Sequence, residues 1–137
     1  MGKIRGSGRK PLVRTFEYDF ARDGGAVSAI TLTELNGEDS SKLHDNDLVL
    51  RCWSEVVTAA TSGGSATVKL GYTGNDDAFV GLTAFDDASW DVAGDVASRA
   101  SELPIKLAAD VSVLATVAVA ALTAGKILVH IETIPSA

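Results

Sequence analysis

The sequence has few of the residues that build disulfides, zinc clusters or membrane spans. Cysteine occurs once and histidine twice in 137 residues, so no internal disulfide can form and a Cys/His zinc cluster is not available. The longest apolar run, residues 111–122, is interrupted by Ser112 and Thr116 and falls short of the ~20 residues that cross a bilayer. No apolar segment follows the first basic residues, so we expect no secretory signal. We therefore expect a soluble chain, made in a cytoplasm, whose fold needs no oxidising compartment.

Aromatic residues are also scarce, at 6% of the chain. The apolar content is nevertheless 46%, and much of it is Ala and Val, which build thin, flat layers. Thirteen glycines, together with frequent Asp, Asn, Ser and Thr, indicate many turns. This composition and length favour one all-β domain over a helical one.

Acidic residues are absent from the first 14 positions, which hold five of the 12 basic residues; the remainder of the chain holds the other seven and all 18 acidic ones. We therefore divide the chain into a basic extended arm, residues 1–14, with charge +5, and a β-sandwich domain, residues 15–137, with charge −11. Such an arm cannot bury enough apolar surface to fold alone. We expect it to bind an acidic protein surface, the alternative being an untethered solubilising tail. Its candidate contact residues are Lys3, Arg5, Arg9, Lys10 and Arg14.

Alternating apolar and polar residues predict the strands of the domain. Residues 15–20 and 66–72 alternate strictly, as half-buried strands do. Pro104 predicts an edge strand around residues 103–107. We expect the Val/Ile-rich runs 111–122 and 126–134 to form a long β-hairpin, joined at 123–125 with a positive φ at Gly125. About eight strands at this spacing predict a β-sandwich or jelly-roll-like domain.

Both faces of the predicted hairpin are apolar. Because a sandwich hides only one face of each sheet, we expect another copy of the chain to cover the second face. The candidate oligomer contacts lie in the first and last strands: Phe16, Tyr18, Leu128 and Val129.

No motif indicates catalysis. His44 lies in a polar loop, His130 alternates with apolar residues in the last strand, and a Gly-x-Ser-x-Gly elbow is absent. Oxygen ligands concentrate in residues 75–95, so a calcium site is an alternative to the simpler interpretation that Asp and Asn form turns. We expect a buried, inert Cys52, no enzyme, and no cofactor or metal. The acidic domain lacks a base-stacking platform, so we expect no direct binding of nucleic acid, and no membrane partner.

Two segments carry a resemblance to a known family. Residues 62–84 contain a strand followed by a turn with Asp-Asp-Ala-Phe, and residues 103–132 contain Leu-Pro-Ile-Lys-Leu and Leu-Thr-Ala-Gly-Lys. Together they resemble the small head-decoration, or cement, proteins of tailed bacteriophages, over roughly residues 45–134. The resemblance implies a β-sandwich that forms a homotrimer on the outside of the capsid and braces the major capsid protein. It places the chain in the virion, after synthesis in the host cytoplasm.

Two other interpretations stay open. One is a structural module of a phage tail, baseplate or fibre, in which similar sequences occur. The other is a carbohydrate-binding β-sandwich, which would need exposed aromatic side chains; the candidates are Trp53, Tyr72 and Trp90.

Overall fold

The computed structural model describes residues 11–35, 42–99 and 103–135, and these contain eleven strands and two four-residue helical turns. The strands are β1 (Leu12–Asp19), β2 (Ser28–Thr31), β3 (Thr33–Glu34), β4 (Lys42–Leu43), β5 (Leu48–Ser62), β6 (Thr67–Tyr72), β7 (Asn75–Ala84), β8 (Val96–Arg99), β9 (Ile105–Lys106), β10 (Val111–Ala118) and β11 (Leu122–Ile134). The turns are α1 (Phe20–Asp23) and α2 (Ala88–Asp91).

The strands form two sheets that face each other. The first sheet has the order β3-β1-β11-β5-β8, with β9 also pairing with β5; the second has the order β2-β10-β6-β7, with β4 also pairing with β10. Every pairing is antiparallel. The predicted all-β sandwich is confirmed.

The eight principal strands pair in a nested way. The first pairs with the last (β1 with β11), the second with the second-last (β2 with β10), and β5 with β8 and β6 with β7 complete the series. A long antiparallel ribbon rolled around a common core has this pairing.

The core lies between the sheets and follows from alternation along the strands. In β10, Val111, Val113, Ala115 and Val117 are buried while the residues between them are half-exposed. The same pattern continues along β11 from Ile127 to Thr133. Alternation sends every second side chain inward, and complete burial of a Val, Leu or Phe side chain stabilises the fold by about 1.5–3 kcal/mol.

The predicted hairpin of the last two runs is wrong. Strands β10 and β11 belong to different sheets and do not pair with each other. The chain crosses between the sheets after β10, where Val119 has a φ of 73°. Gly125 has the predicted positive φ, at 145°, but it lies within β11, where the register with β5 shifts. The Leu-Thr-Ala-Gly-Lys segment is therefore an irregular part of one strand.

The first strand, β1, begins at Leu12, inside the segment predicted as the arm, residues 1–14. Residues 12, 13 and 14 pair with Thr133, Glu132 and Ile131 of β11, respectively, and so belong to the first sheet. The edge strand expected near Pro104 is present as β9, which pairs with the start of β5.

Candidate assembly surfaces

The interior of the sandwich offers little room for a ligand. The sheets enclose a cavity of about 20 Å³, which is close to the volume that one water molecule needs, and a water would also need polar partners there. Its lining is made of hydrophobic and aromatic side chains: Tyr18, Ala60, Val68, Leu70, Trp90, Ala115, Val117, Leu122, Ile127 and Val129. The outer faces of the two sheets are therefore the candidate surfaces for binding a partner.

The strand register arranges the outer face of the first sheet in rows. One row crosses β1, β11, β5 and β8, and the next row runs parallel to it one step along the strands. The first row consists of Glu17, Leu128, Glu55 and Val96. The second row consists of Thr15, His130, Trp53 and Ser98. Apolar and aromatic side chains therefore alternate with polar ones across the face.

His130 is the centre of a network on this face. Its Nδ1 lies 2.9 Å from the Thr15 Oγ1 and its Nε2 lies 3.3 Å from the Glu55 Oε1. With the proton on Nε2, the imidazole donates to Glu55 and accepts from the Thr15 hydroxyl. Its ring stacks on Trp53 at 5.6 Å between centroids. Thr15 lies inside a strand rather than on a turn that exposes a nucleophile, so we interpret the network as structural. His130 thus lies in the last strand, as its alternation with apolar residues predicted.

Other charged groups of this face are paired with one another. Arg51 donates to Glu132 at 2.7 Å, and this bond raises the pKa of the guanidinium above its usual value. At the α1 end of the sheet, Arg22 bridges Glu17 at 2.8 Å and Asp23 at 2.9 Å. These charged side chains form ion pairs within the chain. A partner that buries them therefore leaves fewer unpaired ions than one that buries isolated charges.

Asp23 and Arg22 support each other in their charged forms. Burial alone raises the pKa of Asp23, but hydrogen bonds from Arg22 and from the Asp19 amide lower it further than burial raises it, so the pKa lies below 3.8. The bond to Asp23 raises the pKa of Arg22, against a smaller opposing effect of burial. The bridge from Arg22 to Glu17 and the bond from the Asp19 amide to Asp23 tie α1 to β1.

The outer face of the second sheet is different in character. In one of its rows, Thr116 of β10 lies between Ala29 of β2 and Lys69 of β6. In the next row, Leu114 lies between Thr31 and Gly71. Lys69 is paired with Asp76 at 3.1 Å. Among these row positions, Leu114 and Lys69 carry the large side chains and the others are small.

Three of the four predicted oligomer contacts are buried within the chain itself. Phe16 and Val129 are 0% exposed and Tyr18 is 3% exposed, because all three point into the core of the chain itself. Leu128 points the other way and lies half-exposed on the outer face, opposite Glu17 and Glu55. Sequence alternation identified both faces of β11 but did not show which one this chain covers itself.

Arg14 is not an exposed contact residue either. It lies in β1, and its guanidinium makes two hydrogen bonds with the Glu34 carboxylate of β3 at 2.9 and 2.6 Å. Both side chains are buried. The other candidate contacts of the arm, Lys3, Arg5, Arg9 and Lys10, lie outside the described residues.

The aromatic residues considered for glycan binding do not form one platform. Trp90 is 1% exposed and belongs to the core. Tyr72 packs beside Phe79, and Trp53 lies on the first sheet between His130 and the guanidinium of Arg51. A sugar-binding site needs an uncovered ring beside polar groups, and these three positions are dispersed.

The Asp-rich middle is partly explained by turn formation. The Asp87 carboxylate accepts from the Ser89 amide at 2.9 Å and caps α2. Among the described residues, no group of three or more His, Cys, Asp or Glu side chains is placed to hold a metal ion.

Cys52 is buried, as predicted.

The sequence did not reveal the network of Thr15, His130 and Glu55 or the pair of Arg51 and Glu132. These side chains come from strands that are 40 to 115 residues apart along the chain. Only the register of β1, β11 and β5 brings them together, and single-sequence alternation does not contain that register.

Comparison with known proteins identifies solved structures of similar fold. No protein-family model matches the sequence, and no curated protein is similar to it in sequence. A chain in the capsid asymmetric unit of cyanophage Pam1 superposes with a TM-score of 0.68 and 16% identity, over 94% of this chain and 87% of that one. A chain of the acid-stable capsid of Helicobacter pylori bacteriophage KHP30 gives 0.63 and 17%, over 93% and 91%. A chain of the Ralstonia phage GP4 capsid gives 0.60 and 14%, over 93% and 86%.

At these identities the similarity establishes a shared fold. It covers nearly the whole of this chain and of each capsid chain, so the sandwich is the common unit rather than an added part. No helix among the described residues is long and apolar enough to cross a membrane.

Proposed function

We propose that this chain is a structural protein of a phage virion that binds the outside of the assembled capsid and stabilises the shell. The observation that supports this most is the nested two-sheet fold, which recurs over at least 86% of each of three chains from phage capsid structures. The role is mechanical and requires no cofactor or catalytic residue. The sandwich supplies a rigid body with two outer faces and an open edge for contacts.

The stabilisation follows from mass action. A protein that binds the assembled lattice but not free capsid subunits shifts the equilibrium toward the lattice by the free energy of binding. Contacts repeated over the shell act together, so no single contact has to be strong. The partner in this proposal is the major capsid protein.

The proposed contact with the capsid is the basic segment that precedes β1. Lys3, Arg5, Arg9 and Lys10 carry its charge, and Arg14 is no longer included because it is bound to Glu34. A basic segment binds an acidic protein surface through exposed ion pairs, which salt weakens. The arm then serves attachment, and the sandwich serves packing.

The proposed assembly state is a homotrimer in which the outer face of the first sheet is a contact between copies. Leu128 and Trp53 supply apolar area there, and the neighbouring charges are already paired within the chain. An interface with apolar residues at its centre and matched charges at its rim is the usual arrangement between protein subunits. Val129, one position away, serves the fold instead.

Attachment to shells tests the proposal. Purified protein is mixed with shells from phage grown without the gene for this chain, and the shells are sedimented. We expect the protein to saturate a fixed number of sites and to raise the temperature at which the shells release their DNA. Free protein that stays in the supernatant at all concentrations contradicts the proposal.

A further inference from the structure

The two long sides of the sandwich differ in how they end. On one side, β2 of the second sheet continues into β3 of the first sheet through Leu32, whose amide donates to the carbonyl of Val113. The chain therefore closes this side by passing from one sheet to the other. On the opposite side, β7 ends the second sheet and β8 ends the first. Within the described residues, no strand pairs with the outer edge of either one.

Strand β8 has little of the protection that edge strands usually carry. Bulges, proline and charged side chains normally prevent an edge from pairing with a further strand. The register of β7 with β6 shifts twice, whereas β8 pairs with β5 without interruption from Val96 to Arg99. None of its four residues is proline, and its one charged residue, Arg99, lies at the end of the strand. It is therefore a regular edge that can accept another strand.

The backbone groups available on this edge can be identified from the hydrogen bonds. The amide of Val56 in β5 donates to the carbonyl of Asp95 at 3.0 Å. Antiparallel pairs alternate between bonded and unbonded positions, so the backbone of Ala97 faces β5. The amides and carbonyls of Val96 and Ser98 then point away from the sheet, toward the open side.

Apolar side chains surround the edge. Val96 is 62% exposed, Val57 is 45% exposed and Val92 is 49% exposed. Val96 lies opposite Glu55 in the register, and the turn that contains Val92 is hydrogen-bonded to Val56. These three valines give an added strand an apolar surface to cover.

The open side is also strongly acidic. Residues 75–99 contain six Asp and a single basic residue, Arg99. Asp76 is paired with Lys69, but Asp86, Asp91 and Asp95 have no ion-pair partner among the described residues. A binding segment that carries Lys or Arg would be attracted to this side and would neutralise it.

We propose that the edge of β8 binds an extended, basic segment of the shell protein as an additional strand of the first sheet. This proposal rests on the proposed function and names the element of the capsid that the domain recognises. Main-chain hydrogen bonds to Val96 and Ser98 supply affinity, as in other cases of strand addition. The valines and the unpaired aspartates select a segment with alternating apolar and basic side chains.

The chain's own basic arm fits this edge less well. Residues 1–11 contain three glycines and one proline, which are the residues that strands contain least. It also precedes β1, which is separated from β8 by β11 and β5 in the sheet order. An arm that binds the edge is therefore treated as a distinct outcome of the test.

Site-specific photocrosslinking on shells tests the proposal. A photoreactive benzophenone amino acid replaces Val96 in the full chain, and a control version carries it at Val119, which is 73% exposed on another part of the surface. Both are bound to shells lacking this chain, irradiated and analysed by mass spectrometry. We expect position 96 to crosslink to a basic segment of the shell protein, at least about tenfold above position 119. Crosslinks to residues 1–14 of this chain, or a yield no higher than the control, overturn the proposal.

Two pairs of variants test the two sources of affinity. Ser98→Pro removes an outward amide that makes no bond within the sheet, and Ser98→Ala keeps it. The double variant Asp91→Asn/Asp95→Asn removes edge charge, and Asp45→Asn/Asp110→Asn removes equal charge elsewhere. We expect the first member of each pair to lose the crosslink from position 96 and the second to retain it. Equal behaviour within both pairs overturns the proposal.

The same measurements separate this proposal from the proposed function. Protein that sediments with shells but gives no specific crosslink from position 96 overturns strand addition and leaves capsid binding intact. Unmodified protein that does not sediment with shells overturns both.

Discussion

The Arg14 guanidinium binds the Glu34 carboxylate through two parallel hydrogen bonds, Nε to Oε2 at 2.9 Å and Nη2 to Oε1 at 2.6 Å. The guanidinium also lies 5.4 Å from the centre of the Phe16 ring. The pair joins β1 to the short strand β3, so a residue expected in a free arm instead helps to hold the closed side of the sandwich.

Loss of one partner of this pair should destabilise the fold strongly. We expect Arg14→Ala to lower the free energy of unfolding by about 3–5 kcal/mol, because it leaves a buried carboxylate uncompensated. Urea denaturation followed by circular dichroism measures the change. The double variant Arg14→Met/Glu34→Leu should recover most of the loss, and equal stability of Arg14→Ala and the wild-type protein would contradict the buried ion pair.

Alkaline pH should weaken the fold through Tyr18. Burial, followed by the nearby charges of Asp23 and Asp19, raises the pKa of its hydroxyl from 10.0 to about 12. The hydroxyl donates to the carbonyl of Gly24 at 2.6 Å. An unfolded chain loses the proton near pH 10.0 and the folded chain near 12, so this contribution is complete below pH 10 and is lost as the pH rises to 12.

Unfolding by urea on both sides of pH 10 measures this effect. We expect Tyr18→Phe, which has no proton to lose, to show a smaller decrease in stability over that interval than the wild-type protein. Tyr72 is present in both and cancels in the comparison. Parallel decreases in the two proteins would show that Tyr18 is not the responsible group.

Two adjacent residues of β11 should separate folding from association. Val129 is fully buried, so Val129→Asp places an unpaired carboxylate in the core, costs several kcal/mol and should prevent folding. Leu128 lies on the outer face, so Leu128→Asp should fold normally but weaken contact between copies. Circular dichroism and light scattering measure the two effects. A wild-type protein that is a well-folded monomer at high concentration would contradict the proposed trimer.

Removal of residues 1–10 should affect attachment but not folding. The deletion ends before β1 begins at Leu12, so we expect a melting temperature within about 2 °C of the wild-type value. Binding to shells should weaken most at low salt, where exposed charge contacts are least screened. Unchanged binding at every salt concentration would exclude the arm as the capsid contact.

Sequence alternation predicted the strands much better than it predicted their partners. Period-2 patterning correctly placed Phe16 and Tyr18 on one face of β1, and Val68 and Leu70 on one face of β6. Alternation does not distinguish a hairpin of β10 and β11 from two strands in separate sheets, because both strands alternate in the same way in either arrangement. Strand β7 was missed because its first residues, Asn-Asp-Asp, are typical of turns.

The assembly surfaces were less predictable still. Alternation along β11 predicts that Leu128 and Val129 point to opposite faces, so one of them must point outward. Only the fold shows that Val129 is the one in the core. The network around His130 depends on a register between residues 115 positions apart. The open edge at β8 depends on which strand ends the sheet, and this is a property of the whole topology.

The central claim is that this chain is a component of the capsid exterior, and the composition of the particle tests it most directly. Virions of the phage that encodes the chain are purified, and the chain and the major capsid protein are quantified by mass spectrometry. The proposal predicts a fixed ratio between the two proteins that matches a class of symmetry-related sites on the shell, with the chain accessible to protease on intact particles. Absence of the chain from mature virions, or its presence only in isolated tails, would contradict the proposal.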